Sequence, residues 1–477
     1  MKANLQVLSE EERARVHQAT LDVLGTTGVR VETELGRRAL EAAGARVDEG
    51  SRIVRFPVEL VEESLRLAPK DFVLGARRPG ADLRMNGGDC TLCLDGSGTM
   101  ALDRDTGERR LATYRDWQDI TRIADALDEI GMYWAQVEPS DAGHTLADSV
   151  DYVCRVHRNF SKHVQDNMGS PEDASWLTEI LQVIFGSVEE IREKHPMSCL
   201  LCPESPLAID REYTDTYLAL KGLKIPVAVM PMPLMGATAP ANMISTIVQG
   251  NCEVLAMLCL LQAHEPGLPF IYAPVLAVMD PRTGLLGGAS MEHSIMNAAA
   301  TEMARHYGLP AESSPGGSDA HIPDVQCAFE EAAMALPTIL SWPDIIVGPG
   351  LLDGSMVSSL EHLLIDVEIF RYARQAHRGV ATQKEKWLTD VIVEVGPGGN
   401  YLTRPSTLSS IRSDEWFISG LGAHESYENW RAGRKGEFSD ELREKVDEIL
   451  ATHEPLPLDE AVEKELDRIY QAAKDES

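Results

Sequence analysis

Pro269-Phe-Ile-Tyr-Ala-Pro274, Met291-Glu-His-Ser-Ile-Met-Asn-Ala-Ala-Ala-Thr-Glu-Met-Ala-Arg-His-Tyr307 and Pro310-Ala-Glu-Ser-Ser314 follow one another in the chain, and their reading decides the fold. A short apolar run bounded by proline reads as a buried strand, and the long run without Gly or Pro between two such strands reads as a helix. The same unit recurs. Strands are expected at Met132–Val137, Phe160–Gln165, Ser198–Cys202, Pro226–Met230, Pro269–Pro274, Pro310–Ser314 and Asp344–Val347. Helices follow most of them, among them Ala241–Ala263, Met291–Tyr307 and Ser358–Ala376. An eighth strand comes either from the β-rich run near residue 95 or from Val391–Val395. Strands alternating with helices give a parallel sheet, and about eight units favour closure into a (β/α)8 TIM barrel over an open sheet. No GxGxxG or GxxxxGK(S/T) follows any strand, so a dinucleotide or P-loop fold loses its support.

Around this α/β core the chain divides into a helical and β extension over 1–85, the barrel over 86–430 and a helical tail over 431–477. Ser9-Glu-Glu-Glu12 has the form of a capping box before a helix that Gly25 ends, and a second helix runs from Glu34 to the stop at Gly44. Asp105-Thr106-Gly107 marks a hairpin that closes one end of the fold. The tail from Glu437 reads as two exposed helices available for packing on a neighbouring molecule.

Acidic residues outnumber basic ones by 75 to 44, a formal charge of −31, which repels phosphate backbones and anionic lipid. Nucleic acid and membrane partners are therefore not expected. Met1-Lys-Ala-Asn-Leu-Gln6 lacks the apolar core of a signal peptide, and no run approaches the roughly 18 apolar residues of a membrane span, so a cytoplasmic location is expected. The 8 cysteines stand mostly in apolar contexts, as suits a reducing compartment. Cys90 with Cys93 and Cys199 with Cys202 have a zinc-like spacing but no histidine at ligand spacing beside them. They read as buried thiols, and no tightly bound metal is expected. Barrels with added helices often associate, so a homo-oligomer is expected.

Barrels of this kind place reacting groups at the C-terminal ends of strands and in the loops that follow. Those ends read Lys162-His163-Val164-Gln165, Cys202-Pro203-Glu204-Ser205, Met230-Pro-Met-Pro-Leu-Met235, Tyr272-Ala273-Pro274, Ser314-Pro-Gly-Gly-Ser-Asp319 and Gly348-Pro-Gly350. Tyr133, Trp134 and Tyr272 either pack within the fold or together form a cage whose aromatic faces attract a cation. His163 serves equally as a framework histidine or a substrate contact, and Glu204 either caps a helix or faces the site.

Pro315-Gly-Gly-Ser-Asp-Ala320 with Ile322-Pro323-Asp324-Val325-Gln326 is, by itself, a flexible acidic loop before a helix. Together with Cys93-Leu-Asp-Gly-Ser-Gly98, Lys162-His163, Leu200-Leu-Cys-Pro203, Tyr307-Gly-Leu-Pro310, Gly348-Pro-Gly350 and Leu364-Ile-Asp366 it resembles the trimethylamine methyltransferase family over nearly the whole chain. In members acting on trimethylamine the residue before Ser-Asp is pyrrolysine; here it is Gly317, as in relatives that demethylate glycine betaine, carnitine or proline betaine. The resemblance implies methyl transfer from a quaternary amine, foremost glycine betaine, to the Co(I) corrinoid (cobalamin) of a separate partner protein. Within that frame Tyr133, Trp134 and Tyr272 are cage residues, Glu204, Glu292 and Asp319 supply negative potential or orient neighbours, and His163, Gln165, Gly317, Ser318 and His321 are placed around the substrate. Two other readings stand beside this one: a metal-dependent barrel hydrolase or lyase with His163, Glu204 and Asp319 as ligands, and a non-catalytic betaine-binding protein.

Overall fold

A computed structural model describes residues 2–143, 145–167, 169–433 and 437–476. Eight parallel strands run side by side: β1 (Thr91–Cys93), β2 (Ile130–Tyr133), β3 (His163–Gln165), β4 (Met197–Leu201), β5 (Val227–Val229), β6 (Phe270–Tyr272), β7 (Glu312–Ser313) and β8 (Ile345–Val347). β8 pairs with β1, and a parallel bridge between Tyr272 and Ala311 joins β6 to β7 and closes the barrel. A helix follows each strand: α1 (Tyr114–Ala126), α2 (Leu146–Asn159), α3 (Asp173–Phe185), α4 (Glu212–Leu218), α5 (Met243–His264), α6 (Met291–Tyr307), α7 (Val325–Ser341) and α8 (Leu360–Arg378). The eighth strand is thus the run beside residue 95. Val391–Val395 instead falls in a short exposed helix, Thr389–Val395.

Successive side chains of a strand point to opposite faces. Cys93, Met132, Leu200, Ala228, Ile271, Ile345 and Val347 fill the barrel interior, while their neighbours Leu92, Tyr133, Leu201, Val229, Tyr272 and Ile346 pack outward under the helices. The hairpin Phe72–Leu74 with Leu83–Met85 plugs the N-terminal end, its Leu74 and Met85 joining the interior cluster. At the opposite end Met100–Leu102 pairs with Arg109–Leu111 in the hairpin expected around Gly107, and Met100–Leu102 also pairs with Val357–Ser358 beyond β8.

The helix Glu10–Thr26 starts at the expected capping box of Ser9 and Glu12. It packs across α5 together with Glu34–Ala42 and Val58–Leu67. That cover explains why α5 is so apolar: against the expectation that no run approaches a membrane span, it is long and apolar enough to cross one, yet most of it is buried inside this fold.

The tail does not project for a neighbour. Phe438–Thr452 buries Leu442 and Val446 against α1 and α8, and Glu460–Glu476 buries Leu466, Ile469 and Ala473 against α2 and α3. Its amphipathic stripe was legible as helix; that the stripe finds the chain's own barrel was not. Between barrel and tail, residues 380–433 carry exposed apolar side chains, including Val393 at 81%, Leu402 at 84% and Ile418 at 75%.

Because Leu466 is completely buried, Leu466→Ala is expected to destabilise the whole protein by about 2–5 kcal/mol in urea unfolding. A loss below about 0.5 kcal/mol would show that the tail unfolds apart from the barrel.

Candidate functional site

The inward parity of the strands selects what stands at the C-terminal mouth. Continuing from Cys93, Met132, Leu200 and their equivalents, the next inward positions are Asp95, Trp134 and Cys202, with Gln165 and Glu312 contributed by β3 and β7. Ser97, Trp134, Asp166, Asn167, Cys202 and Tyr213 line a cavity of about 420 Å3 there. No lysine or arginine is among its described lining residues.

Three carboxyl groups at this mouth are raised by burial. Glu312 is pushed up to about 8, with the charge of Asp95 adding to the effect, while its Oε2 accepts a hydrogen bond from Gln165 Nε2 at 3.3 Å and its Oε1 has no partner. Asp166 is pushed up to about 7 by burial, while the backbone N–H of Asn167, donating to its Oδ1 at 2.8 Å, and the Tyr152 hydroxyl act the other way. Asp95 is pushed up to about 6. Loss of solvation first, then Asp95 and Glu312, push the Cys202 thiol up to about 12, so at neutral pH it is no thiolate nucleophile. Trp134 is half-buried, its Nε1 donating to Ser97 Oγ at 3.2 Å. Carboxyl groups beside an aromatic ring, with no lysine or arginine among the described lining residues, are groups that attract a positive charge.

Of the residues expected from sequence, Trp134 and Gln165 are at this mouth. Tyr133 is not: it packs on Phe160, and its hydroxyl is engaged by Trp117 Nε1 and Tyr152, both at 2.8 Å. Tyr272 likewise points outward, its hydroxyl donating to Asn251 Oδ1 of α5 at 2.8 Å. The three-ring cage is therefore not assembled. His163 lies at the start of β3, where Nδ1 donates to the Gly75 carbonyl and Nε2 accepts from Ser198 Oγ, each at 2.9 Å. Burial holds it down at about 4, so it is a neutral framework histidine. Lys162 beside it donates to the carbonyls of Ala124, Leu127 and Ile130 and caps the end of α1, so neither residue of that pair is at the mouth.

Glu204 and Glu292 are exposed, the first in the loop after β4 and the second in the first turn of α6. Asp319 ties two mouth loops together by accepting the Gly288 N–H at 2.9 Å. Ser318 donates to Glu330 Oε2 at 2.8 Å, and Asp324 caps α7 through the N–H of Gln326 at 2.8 Å. His321 is exposed and paired with Asp353 at 2.8 Å. The Ser-Asp-Ala…Pro-Asp…Gln stretch thus builds and holds a loop. The positive φ there belongs to Gly316, at 94°, and not to Gly317. Gly317 is buried, and a Cβ on it would meet only Ser355 Oγ at 3.6 Å, so a side chain would fit. With both ring nitrogens of His163 occupied at the far end of the barrel, the metal-ligand set of His163, Glu204 and Asp319 does not form.

Asp95, Asp166, Glu312 and Cys202 were missed as site residues. Counting by twos from the apolar strand interiors finds Asp95 and Cys202; nothing in the sequence singles out Glu312, which stands in a strand bracketed by small residues.

The model of the family described as trimethylamine methyltransferase matches residues 1–477. The chain belongs to that family. Trimethylamine methyltransferase MttB of Desulfitobacterium hafniense is 30% identical over 468 residues, covering 98% of this chain and 94% of its own. Its namesake in Methanosarcina barkeri is 28% identical over 479 residues, covering 98% and 95%. A glycine betaine methyltransferase of Desulfitobacterium hafniense is 28% identical over 465 residues, covering 96% and 95%. These trimethylamine methyltransferase relatives make the chain a methyltransferase, and two relatives with different named substrates stand at nearly equal distance.

The raised carboxyls have a consequence for stability in the free enzyme. Between the ordinary glutamate value and about 8 the folded protein keeps a proton on Glu312 that the unfolded chain has lost, so stability falls as pH rises through that window. Glu312→Gln removes its share: the variant's melting temperature is expected to fall less steeply between about pH 5 and about pH 8 and to exceed the parent's at the upper end. Parallel curves would show that Glu312 ionises normally.

Proposed function

We propose that this methyltransferase removes a methyl group from a quaternary amine, with glycine betaine the first candidate, and passes it to the corrinoid of a partner protein. The observation that supports the reading most is the cavity that Asp166 and Trp134 line with no lysine or arginine among its described lining residues, at the same mouth as the raised carboxyls of Asp95 and Glu312. When present, the partner's cobalt(I) supplies the nucleophile for in-line displacement at the methyl carbon.

The residues of this chain have positioning and electrostatics to provide. A quaternary amine leaves as a neutral tertiary amine, so no general acid is required. Positive charge on the nitrogen falls toward the transition state, so a tight carboxylate clamp would hold the ground state too strongly. Carboxyls with raised pKa meet that demand. Glu312 releases its proton when the cation enters and regains it as the charge disappears, which favours departure of the neutral product. Trp134 presents its ring to the methylated head, and Gln165 fixes the Glu312 carboxyl. Gly317, without a side chain, leaves room beside the loop for the body of a larger substrate. The lack of a basic side chain in the cavity lining directs a betaine's carboxylate toward neutral donors or solvent. We also propose that the exposed apolar side chains of 380–433 are covered in a homo-oligomer.

The test supplies purified protein with Co(I) cobalamin and follows the cobalt absorption as methyl-cobalt forms. Glycine betaine or another quaternary amine is expected to react and trimethylamine is not. Activity on trimethylamine alone would overturn the substrate class, and binding without methyl-cobalt from any quaternary amine, with the cognate corrinoid protein present, would overturn the activity. In the same assay Trp134→Leu is expected to raise KM roughly thirtyfold, from a desolvated cation–π contact of about 2 kcal/mol, while Tyr133→Leu lowers stability and leaves KM unchanged. The opposite pattern would return the cage to Tyr133.

A further inference from the structure

Three of the stretches that mark the family, Ser318-Asp-Ala320, Gly348-Pro-Gly350 and Leu364-Ile-Asp366, converge on a cluster that the proposed methyl transfer does not use. Cys327 and Glu331 are four residues apart on α7, and His362 and Asp366 are four apart on α8. That spacing puts each pair on one helix face, and the two faces meet. His362 is completely buried, and the side chains of Glu331 and Asp366 are only 8% and 10% exposed.

The distances among Glu331, His362 and Asp366 are those that the ligands of one bound cation span. From His362 Nε2 it is 3.1 Å to Asp366 Oδ2, 3.8 Å to Glu331 Oε1 and 3.6 Å to Cys327 Sγ. One ligand atom from each of Glu331, His362 and Asp366 lies within 4.8 Å of the others. Ligands held about 2.0–2.3 Å from a tetrahedral zinc stand roughly 3.3–3.7 Å apart. Asp366 Oδ1 has no partner, and a small void of about 30 Å3 opens beside Glu331 and Asp366. Among the described residues no lysine or arginine forms an ion pair with either acid.

We propose that Glu331, His362 and Asp366 form a Zn2+ site beside Cys327, although no metal was expected from the sequence. With the ion absent, the thiol contacts His362 Nδ1 at 3.1 Å and Nε2 faces Asp366. On binding, Zn2+ takes the place of the protons on Glu331 and Asp366, which pass to solvent; the neutral imidazole coordinates through Nε2 with its single proton on Nδ1, facing Cys327 Sγ. His362 is completely buried and none of the three ligands lines the cavity at the mouth, so the ion is out of reach of substrate and its role is structural. The site holds the mouth in shape: Asp366 Oδ2 accepts the Gly350 N–H at 2.7 Å, and α7 begins immediately after the loop carrying Gly317.

Elemental analysis of the full chain, purified without chelator and then equilibrated with excess zinc and desalted, is expected to find about one zinc per chain. His362→Asn with Asp366→Asn is expected to lose it, while Cys202→Ser keeps it. Should the double variant fail to fold, anomalous scattering at the zinc edge from wild-type crystals decides, with a peak expected among Glu331, His362 and Asp366. Zinc-free protein after equilibration, a peak elsewhere, or zinc retained by a folded double variant would overturn the assignment. None of these readouts involves a methyl donor, so the zinc site and the methyl transfer stand or fall separately.

Discussion

Every second residue of a strand in a closed barrel must face inward, and this chain obeys that rule until the strands end. Below the mouth the inward positions are Cys93, Met132, Leu200, Ala228, Ile271 and Ile345, an apolar packing that excludes water. At the mouth the same parity brings in Asp95, Trp134 and Cys202, with Glu312 across from them. Carboxyl groups seated directly above an apolar floor lose solvation, and that loss rather than any special partner raises them. The acid character of the site is a product of barrel geometry.

The fold was legible because each unit carried its own punctuation. Helix Met291–Tyr307 was placed to the residue, and Ala241–Ala263 and Ser358–Ala376 to within two or three. Strands were placed too long at their ends, as Phe160–Gln165 against His163–Gln165, because apolar residues continue past the hydrogen-bonded segment. The eighth strand was left between two places, since Val391–Val395 has strand-like composition but forms an exposed helix with no neighbour to pair with.

The site was less legible. Tyr133 and Tyr272 were attractive as aromatic residues on strands, and parity turns both outward, where their hydroxyls satisfy Trp117 and Asn251 partners instead. Trp134, one residue after Tyr133, is turned the other way for the same reason. His163 failed for a different one: it stands at the start of its strand, so the Lys162-His163 pair secures the closed end of the barrel. Loop residues Ser318 and Asp319 proved to hold other loops in place, a role that depends on Gly288 and Glu330 and so on contacts that sequence spacing does not reveal.

Recognition of a cation by these buried acids is the centre of the account, and proton exchange on binding reports on it directly. Calorimetric titration near neutral pH with a quaternary ammonium compound, repeated in buffers of different ionisation enthalpy, counts the protons released. The account predicts release on binding, because the cation lowers the raised carboxyls, and a smaller release from Glu312→Gln. Proton uptake, or binding with no proton exchange in any buffer, would contradict it.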